Sequence, residues 1–335
     1  MNMNMNKKTL LIIAGILIAL VVIILIALVI LENKKEKVTM SFSNIVQNEK
    51  QNPENEEEEN NTVETNTTNT VKPEKEVTIS EVKTTDGGKI PVPSNFNYIE
   101  GDSASGAVIS DESGNEFVWV PVEDFNTYER QMFLHNGESG ETEISLDDTN
   151  IRDINSYNDE FDDSIRNYNG FYVARYEAGK GNDNQVISQK DAIVWTGVTW
   201  ENARELSLTM YEENDAFQTD LINSYAWDTI CNWLRNSGVD IDDSTSTGNY
   251  QNNVNHQDKI VTSGSNENWK TNNIYDMAGN AWEYTTEEYG DHEKYHIGRG
   301  GGYWNEGHVY PISCRGQSED NANLAIGFRV VMYLK

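Results

Sequence analysis

Asn272-Asn273-Ile274-Tyr275-Asp276-Met277-Ala278-Gly279-Asn280-Ala281-Trp282-Glu283-Tyr284 opens the stretch that decides the fold. It continues through Gly298-Arg299-Gly300-Gly301-Gly302-Tyr303-Trp304 and closes at Gly327-Phe328-Arg329. Glycine sits where a backbone turns sharply or approaches another closely. Here aromatics and arginines sit beside the glycines, with few aliphatics. A plain apolar core does not need that mixture; a loop-rich fold held by buried polar and aromatic contacts does.

Upstream, Phe117-Val118-Trp119-Val120-Pro121 and Phe171-Tyr172-Val173-Ala174-Arg175-Tyr176 read as strands. Two helices are predicted between them and the deciding stretch. In the first, Thr199 is the cap and Ala203, Leu206 and Met210 fall on one face. In the second, Ser224 is the cap, Trp227, Ile230, Cys231 and Leu234 form the apolar face, and Gly238 ends it. Cys231 is therefore expected to be a plain buried thiol. Residues 136–169 and 240–270 are polar and read as loops. Phe328 to Tyr333 reads as a closing strand, expected to pair near the start of the domain.

The remainder divides by composition. Thr9 to Leu31 is an uncharged apolar run. At 1.5 Å per residue it covers about 34 Å, enough to span a bilayer. No small-residue cleavage site follows it, so it reads as an uncleaved anchor. Residues 1–8 are then a cytoplasmic tail and residues 32–88 an extended acidic stalk, carrying Glu56-Glu57-Glu58-Glu59 and a Thr/Asn tract. Residues 89–335 form the folded domain outside the membrane. Flanking lysines are nearly balanced, and the acidic bulk of the chain sets this orientation. Net charge is −30, from 55 acidic against 25 basic residues. Nucleic acid is excluded as a partner, because its phosphates would be repelled. Cys231 and Cys314 are the two cysteines, too few for a disulfide framework.

Three blocks in order, Met277-Ala278-Gly279-Asn280-Ala281-Trp282-Glu283, Arg299-Gly300-Gly301 and Gly327-Phe328-Arg329, resemble the formylglycine-generating enzyme family, also called the sulfatase-modifying-factor family. With the weaker upstream matches the resemblance covers roughly residues 90 to 335. It implies an α+β fold of C-type-lectin type: short strands, two helices and long loops.

The resemblance also implies a chemistry. Members that oxidise a substrate cysteine bind copper through two cysteines placed shortly after the Arg-Gly-Gly block; paired thiolates suit Cu(I). The corresponding positions here fall near Trp304 or Asn305 and near Val309 or Tyr310. Neither is cysteine, so no copper is expected. Cys314 lies further on, beside Arg315, which matches the family's arginine before the closing block. An iron-binding branch of the fold uses histidines, but His135, His256, His292, His296 and His308 show no such spacing and read as solvated loop residues. A structural calcium is implied near Gly279-Asn280-Ala281, with Asn280 and Glu283 as ligands. In lectin-like members the segment after Arg299 forms an exposed ligand surface. Tyr303, Trp304, Asn305, His308, Tyr310 and Arg315 are the candidate ligand-binding residues on that ground; Tyr and Trp give large contact area at low entropy cost. The sequence thus reads as a membrane-anchored binding module for an extracellular protein or glycan, without catalysis. A formylglycine-generating oxidoreductase with a non-standard site is the alternative.

Overall fold

The structure is a computed structural model that describes residues 76–133, 151–153, 159–211, 214–290, 295–319 and 322–335. No helix among these residues is long and apolar enough to cross a membrane. The Thr9–Leu31 run and the acidic tract up to Lys75 lie outside them, as do His135 and His292.

A six-stranded antiparallel sheet is the spine. Its order is Phe217–Leu221, Val330–Leu334, Gly170–Ala174, Glu116–Pro121, Val108–Asp111 and Phe96–Glu100. The strands Val330–Leu334 and Gly170–Ala174 are buried at every position because both faces are covered. Val118, Val120, Phe171, Val173, Val331 and Tyr333 face one core, with Trp227, Ile230 and Leu234 of the helix Ser224–Asn236. Phe117, Trp119, Tyr172, Ala174, Met332 and Leu334 face a second core, with Trp200 and Ala203 of the helix Trp200–Leu208. The period-two alternation of side chains produces this division.

The second sheet carries the deciding stretch. Trp282–Tyr289 lies at its centre, antiparallel to Tyr295–Arg299, which pairs onward with Arg315–Glu319. Ile326–Phe328 runs parallel to the start of Trp282–Tyr289, and Ile151–Asp153 pairs with its far end.

Several details depart from the sequence reading. A third helix, Asp159–Tyr168, lies in the supposed loop and buries Phe161 and Ile165 in the first core. Those two residues are four apart, one face of a helix, but the acidic residues around them mask the signal. The second predicted helix is capped by Asn223, whose side chain accepts from the Ala226 amide at 2.7 Å; Ser224 is its first helical residue. Met210 lies beyond the end of the helix Trp200–Leu208. Ile79–Lys83, assigned by composition to the stalk, is a strand paired with Lys89–Pro93. The closing segment does not pair near the start of the domain; Val330–Leu334 sits between Phe217–Leu221 and Gly170–Ala174. It is also interrupted at Arg329, where the chain passes from the second sheet to the first.

Arg329 holds that crossing. Its guanidinium donates to both carboxylate oxygens of Glu283, at 2.9 and 2.6 Å. It also donates to the carbonyls of Ala174, at 3.0 Å, and Tyr275, at 2.9 Å. Arg329 and Glu283 are buried, as are two further carboxylates, Glu177 and Asp276. Three acids therefore share one cation. Burial pushes the Asp276 carboxyl up to about 6, and burial, Asp276 and Glu283 push Glu177 upward too.

Two outcomes are expected. Arg329→Met leaves buried carboxylates without a counter-charge and should cost about 3–5 kcal/mol in chemical denaturation. Arg329→Lys should also destabilise, since an ammonium cannot reproduce the two-pronged contact. The second outcome concerns pH. Asp276 binds its proton more tightly folded than unfolded, so its contribution to stability falls as pH rises from its ordinary 3.8 through about 6. Asp276→Asn removes that dependence. Melting curves should show the variant gaining on the wild type across that window and holding a constant difference above it; a constant difference throughout would contradict the assignment.

Candidate functional site

Gly298 and Gly316 lie opposite each other in adjacent strands of the second sheet. The Trp282 indole covers this bare patch: a Cβ at Gly316 would stand 2.6 Å from the ring, and one at Gly298 3.3 Å. The indole N–H donates to Asn305 Oδ1 at 2.9 Å, and the Gly302 amide donates to the same oxygen at 2.9 Å. Tyr310 meets the Trp282 ring edge-on, with centroids 5.8 Å apart. Trp304 is partly exposed and meets Tyr303 edge-on at 5.1 Å. Trp282, Trp304, Asn305, Tyr310, Arg315 and Gln317, with Gly298, Gly316 and Asn323, line an open cleft of about 450 Å³.

The loop that forms one wall is fixed from below. Gly301 has φ +73°, and a Cβ there would meet the Tyr310 carbonyl oxygen at 2.6 Å. The Tyr250 hydroxyl lies within hydrogen-bond distance of the Gly300 and Tyr310 carbonyls, at 2.5 and 2.8 Å. The Gly279 amide donates to the Gly300 carbonyl at 2.8 Å, and the Tyr303 amide donates to the Asn280 carbonyl at 3.0 Å. The first two sequence blocks are thereby laced together.

Beneath the cleft runs a buried ion network. Arg299 donates to Asp228 at 2.7 Å and to the Cys314 carbonyl at 2.7 Å. Arg315 bonds Asp228, the Gln131 carbonyl and Glu287, and Arg130 bonds the other oxygen of Glu287 at 2.9 Å. Asp228 and Glu287 pull the Arg315 guanidinium further toward its charged form, outweighing burial. Arg315, expected to face a ligand, thus supports the cleft floor with its guanidinium already engaged.

The other expected residues divide. Trp304, Asn305 and Tyr310 come together in the cleft. Tyr303 instead lines an adjacent, larger cavity of about 910 Å³. His308 is exposed outside both linings, 3.4 Å from Glu306 and 3.3 Å from the Asn252 side chain. His296 is no solvated loop residue: it is buried in the strand Tyr295–Arg299 and stacks on Trp200 at 4.0 Å. Trp282 belongs to the site although the sequence reading treated it as a fold marker. Its signal was a tryptophan following a glycine-asparagine turn, facing strands with glycine at matched positions.

Asn280 and Glu283 do not fit a calcium site as folded. Both Glu283 oxygens accept from Arg329. The Asn280 amide nitrogen donates to Glu177 at 2.6 Å, and its Oδ1 accepts from the Val261 amide at 2.9 Å. Asn280 is a core bracket with φ +61°, a left-handed position that asparagine tolerates. Neither thiol lines the cleft. Cys231 and Cys314 are buried and unbridged, as expected for Cys231. Burial pushes Cys314 up to about 12 and raises Cys231 as well. Burial thus disfavours the thiolate, the reactive form of a cysteine, at both positions.

Solved structures similar to this chain include three that follow. CarF is 15% identical, with 50% of this chain and 87% of that chain covered and a TM-score of 0.37. PvdO from Pseudomonas aeruginosa is 12% identical, with 68% and 98% covered and a TM-score of 0.42. Treponema denticola variable protein 1 is 15% identical, with 76% and 94% covered and a TM-score of 0.28. No curated protein matches the chain. Residues 108–334, which hold both sheets' central strands and the whole cleft, match the sulfatase-modifying factor enzyme 1-like domain, and the chain belongs to that family.

Proposed function

We propose that this chain is a ligand-binding member of its family. It holds a protein or glycan in the Trp282–Tyr310 cleft and carries out no thiol oxidation there. One observation supports this reading above others. The positions to which the resemblance assigns a copper-binding thiol pair, near Trp304 or Asn305 and near Val309 or Tyr310, carry no thiol, and Trp304, Asn305 and Tyr310 line the cleft with Trp282. Amide and phenol oxygens bind Cu(I) poorly, because the ion prefers soft sulfur. The same side chains suit non-covalent recognition: flat apolar faces with polar edges already held in place. The thiols of Cys231 and Cys314 are buried and lie outside the cleft lining.

The Thr9–Leu31 run would present the domain on the outer face of a membrane, at the end of an acidic tract. The full chain should then sediment with membranes and require detergent for release, whereas a chain starting at Glu76 should be soluble alone. Uncleaved full-length chain in the soluble fraction would contradict the anchor.

The catalytic arm of the proposal is tested with a sulfatase-type cysteine peptide, copper and reductant. Mass spectrometry is expected to find the cysteine unchanged. Formylglycine that disappears in Cys314→Ser would promote the oxidoreductase instead. The binding arm is tested by screening the full chain in detergent against glycan and extracellular-protein arrays. Trp304→Ala and Tyr310→Ala should each weaken a recovered ligand about tenfold or more, the usual effect of removing a central aromatic contact. Ligands indifferent to both substitutions would place binding elsewhere.

A further inference from the structure

Two side-chain amides in the cleft lining, Asn305 and Asn323, are oriented by the fold. Asn305 Oδ1 accepts from the Trp282 indole and from the Gly302 amide, each at 2.9 Å. Asn323 Oδ1 accepts from the Ala325 amide at 2.9 Å. Indole and backbone N–H groups only donate, so each oxygen must face them and the NH2 edge is left over. Neither Nδ2 has a hydrogen-bond partner among the described residues. Both amides thus offer donors to the cleft while their own acceptors are already used.

The apolar part of the lining is mostly aromatic, from Trp282, Trp304 and Tyr310. Trp304 is the most exposed aromatic side chain described, at 38%. Charge is withheld from the same surface. Arg315 is the one charged residue among the described lining, and its guanidinium is bonded to Asp228, Glu287 and the Gln131 carbonyl. An anionic group would therefore meet no free cation. No carboxylate lines the cleft among the described residues, so a ligand bridged through a hard cation would lack the oxygen ligands that such an ion needs.

Resting on the reading of this cleft as a binding site, we infer that its ligand is an uncharged glycan, held without a bridging metal. The apolar C–H face of a sugar ring packs on the Trp304 indole while its hydroxyl edge stays polar. Ring or bridging oxygens accept from the NH2 edges of Asn305 and Asn323. Such oxygens accept and never donate, which matches edges that donate and never accept. A peptide brings an N–H with nearly every carbonyl, and those donors would need acceptors that the two amides no longer offer. Sulfated and uronate sugars fail on the missing cation.

The test applies the full chain, in a detergent without a sugar headgroup, to arrays of neutral oligosaccharides, of sulfated and uronate glycans, and of extracellular proteins. Neutral oligosaccharides should be retained, and a chelator of divalent cations should not release them. Asn305→Asp and Asn323→Asp keep the inward-facing acceptor and replace only the NH2 edge; each should weaken binding about tenfold. Trp304→Ala should do the same, and Trp304→Phe, which restores a ring, should recover most of the affinity. Ile99→Ser, in the strand Phe96–Glu100 at the far edge of the first sheet, should change nothing. Retention of anionic glycans alone, release by the chelator, or full affinity in both Asp variants would overturn the inference. A protein ligand sensitive to Trp304→Ala would overturn it too, yet leave the cleft a binding site. Retention of neither sugar nor protein would sink both readings.

Discussion

The buried contact between Glu283 and Arg329 is the constraint on which the rest of the domain depends. It lies where the chain leaves one sheet for the other, and Arg329 reaches both: Glu283 in the second sheet, the Ala174 carbonyl at the end of a first-sheet strand. A bidentate guanidinium–carboxylate pair fixes direction as well as distance. That geometry explains why Trp-Glu and Gly-Phe-Arg occur together in one sequence. Glu283 and Gly327 are paired residues of parallel strands, so the arginine two positions on returns to the glutamate. Asp228 does similar work for the Arg-Gly-Gly block, drawing Arg299 and Arg315 to the helix Ser224–Asn236.

These contacts set the cleft. Arg299 fixes the start of the loop, its glycines let the backbone fold back beneath Tyr310, and Tyr250 closes the loop from below. The Trp282 indole then lies on glycine rather than on side chains, free to present a face and an edge. Support comes from buried ion pairs of Arg299 and Arg315 with Asp228 and Glu287, while the cleft surface is mostly aromatic and amide. Such a division gives a rigid, mostly neutral recognition surface on a strongly acidic chain.

Much of this was legible in the sequence. Continuous apolar runs marked the strands covered on both faces, and the helix Ser224–Asn236 announced itself through Trp227, Ile230, Cys231 and Leu234. The family could be named from three short blocks. Asn305, Tyr310 and Trp304 were identified because the family resemblance makes the segment after Arg299 a ligand surface. What stayed hidden had physical causes. The helix Asp159–Tyr168 rests on two apolar residues in an acidic segment, and the strand Ile79–Lys83 sits at the end of a polar tract. The resemblance suggested a metal at Glu283, and the sequence could not correct it, because the carboxylate's cation lies 46 positions away. Arg315 looked like a ligand contact for the same reason, since Asp228 and Glu287 meet it only in three dimensions.

A competition titration with Cu(I) tests most directly whether the cleft binds rather than oxidises. The reduced full chain would be titrated against a chromogenic Cu(I) chelator. The expected result is that the chelator keeps the metal, because the cleft lining offers no sulfur and Cys314 is buried outside it. Stoichiometric withdrawal of Cu(I) from the chelator, lost in Cys314→Ser and in Cys231→Ser, would contradict the binding reading and establish a metal-bearing thiol pair.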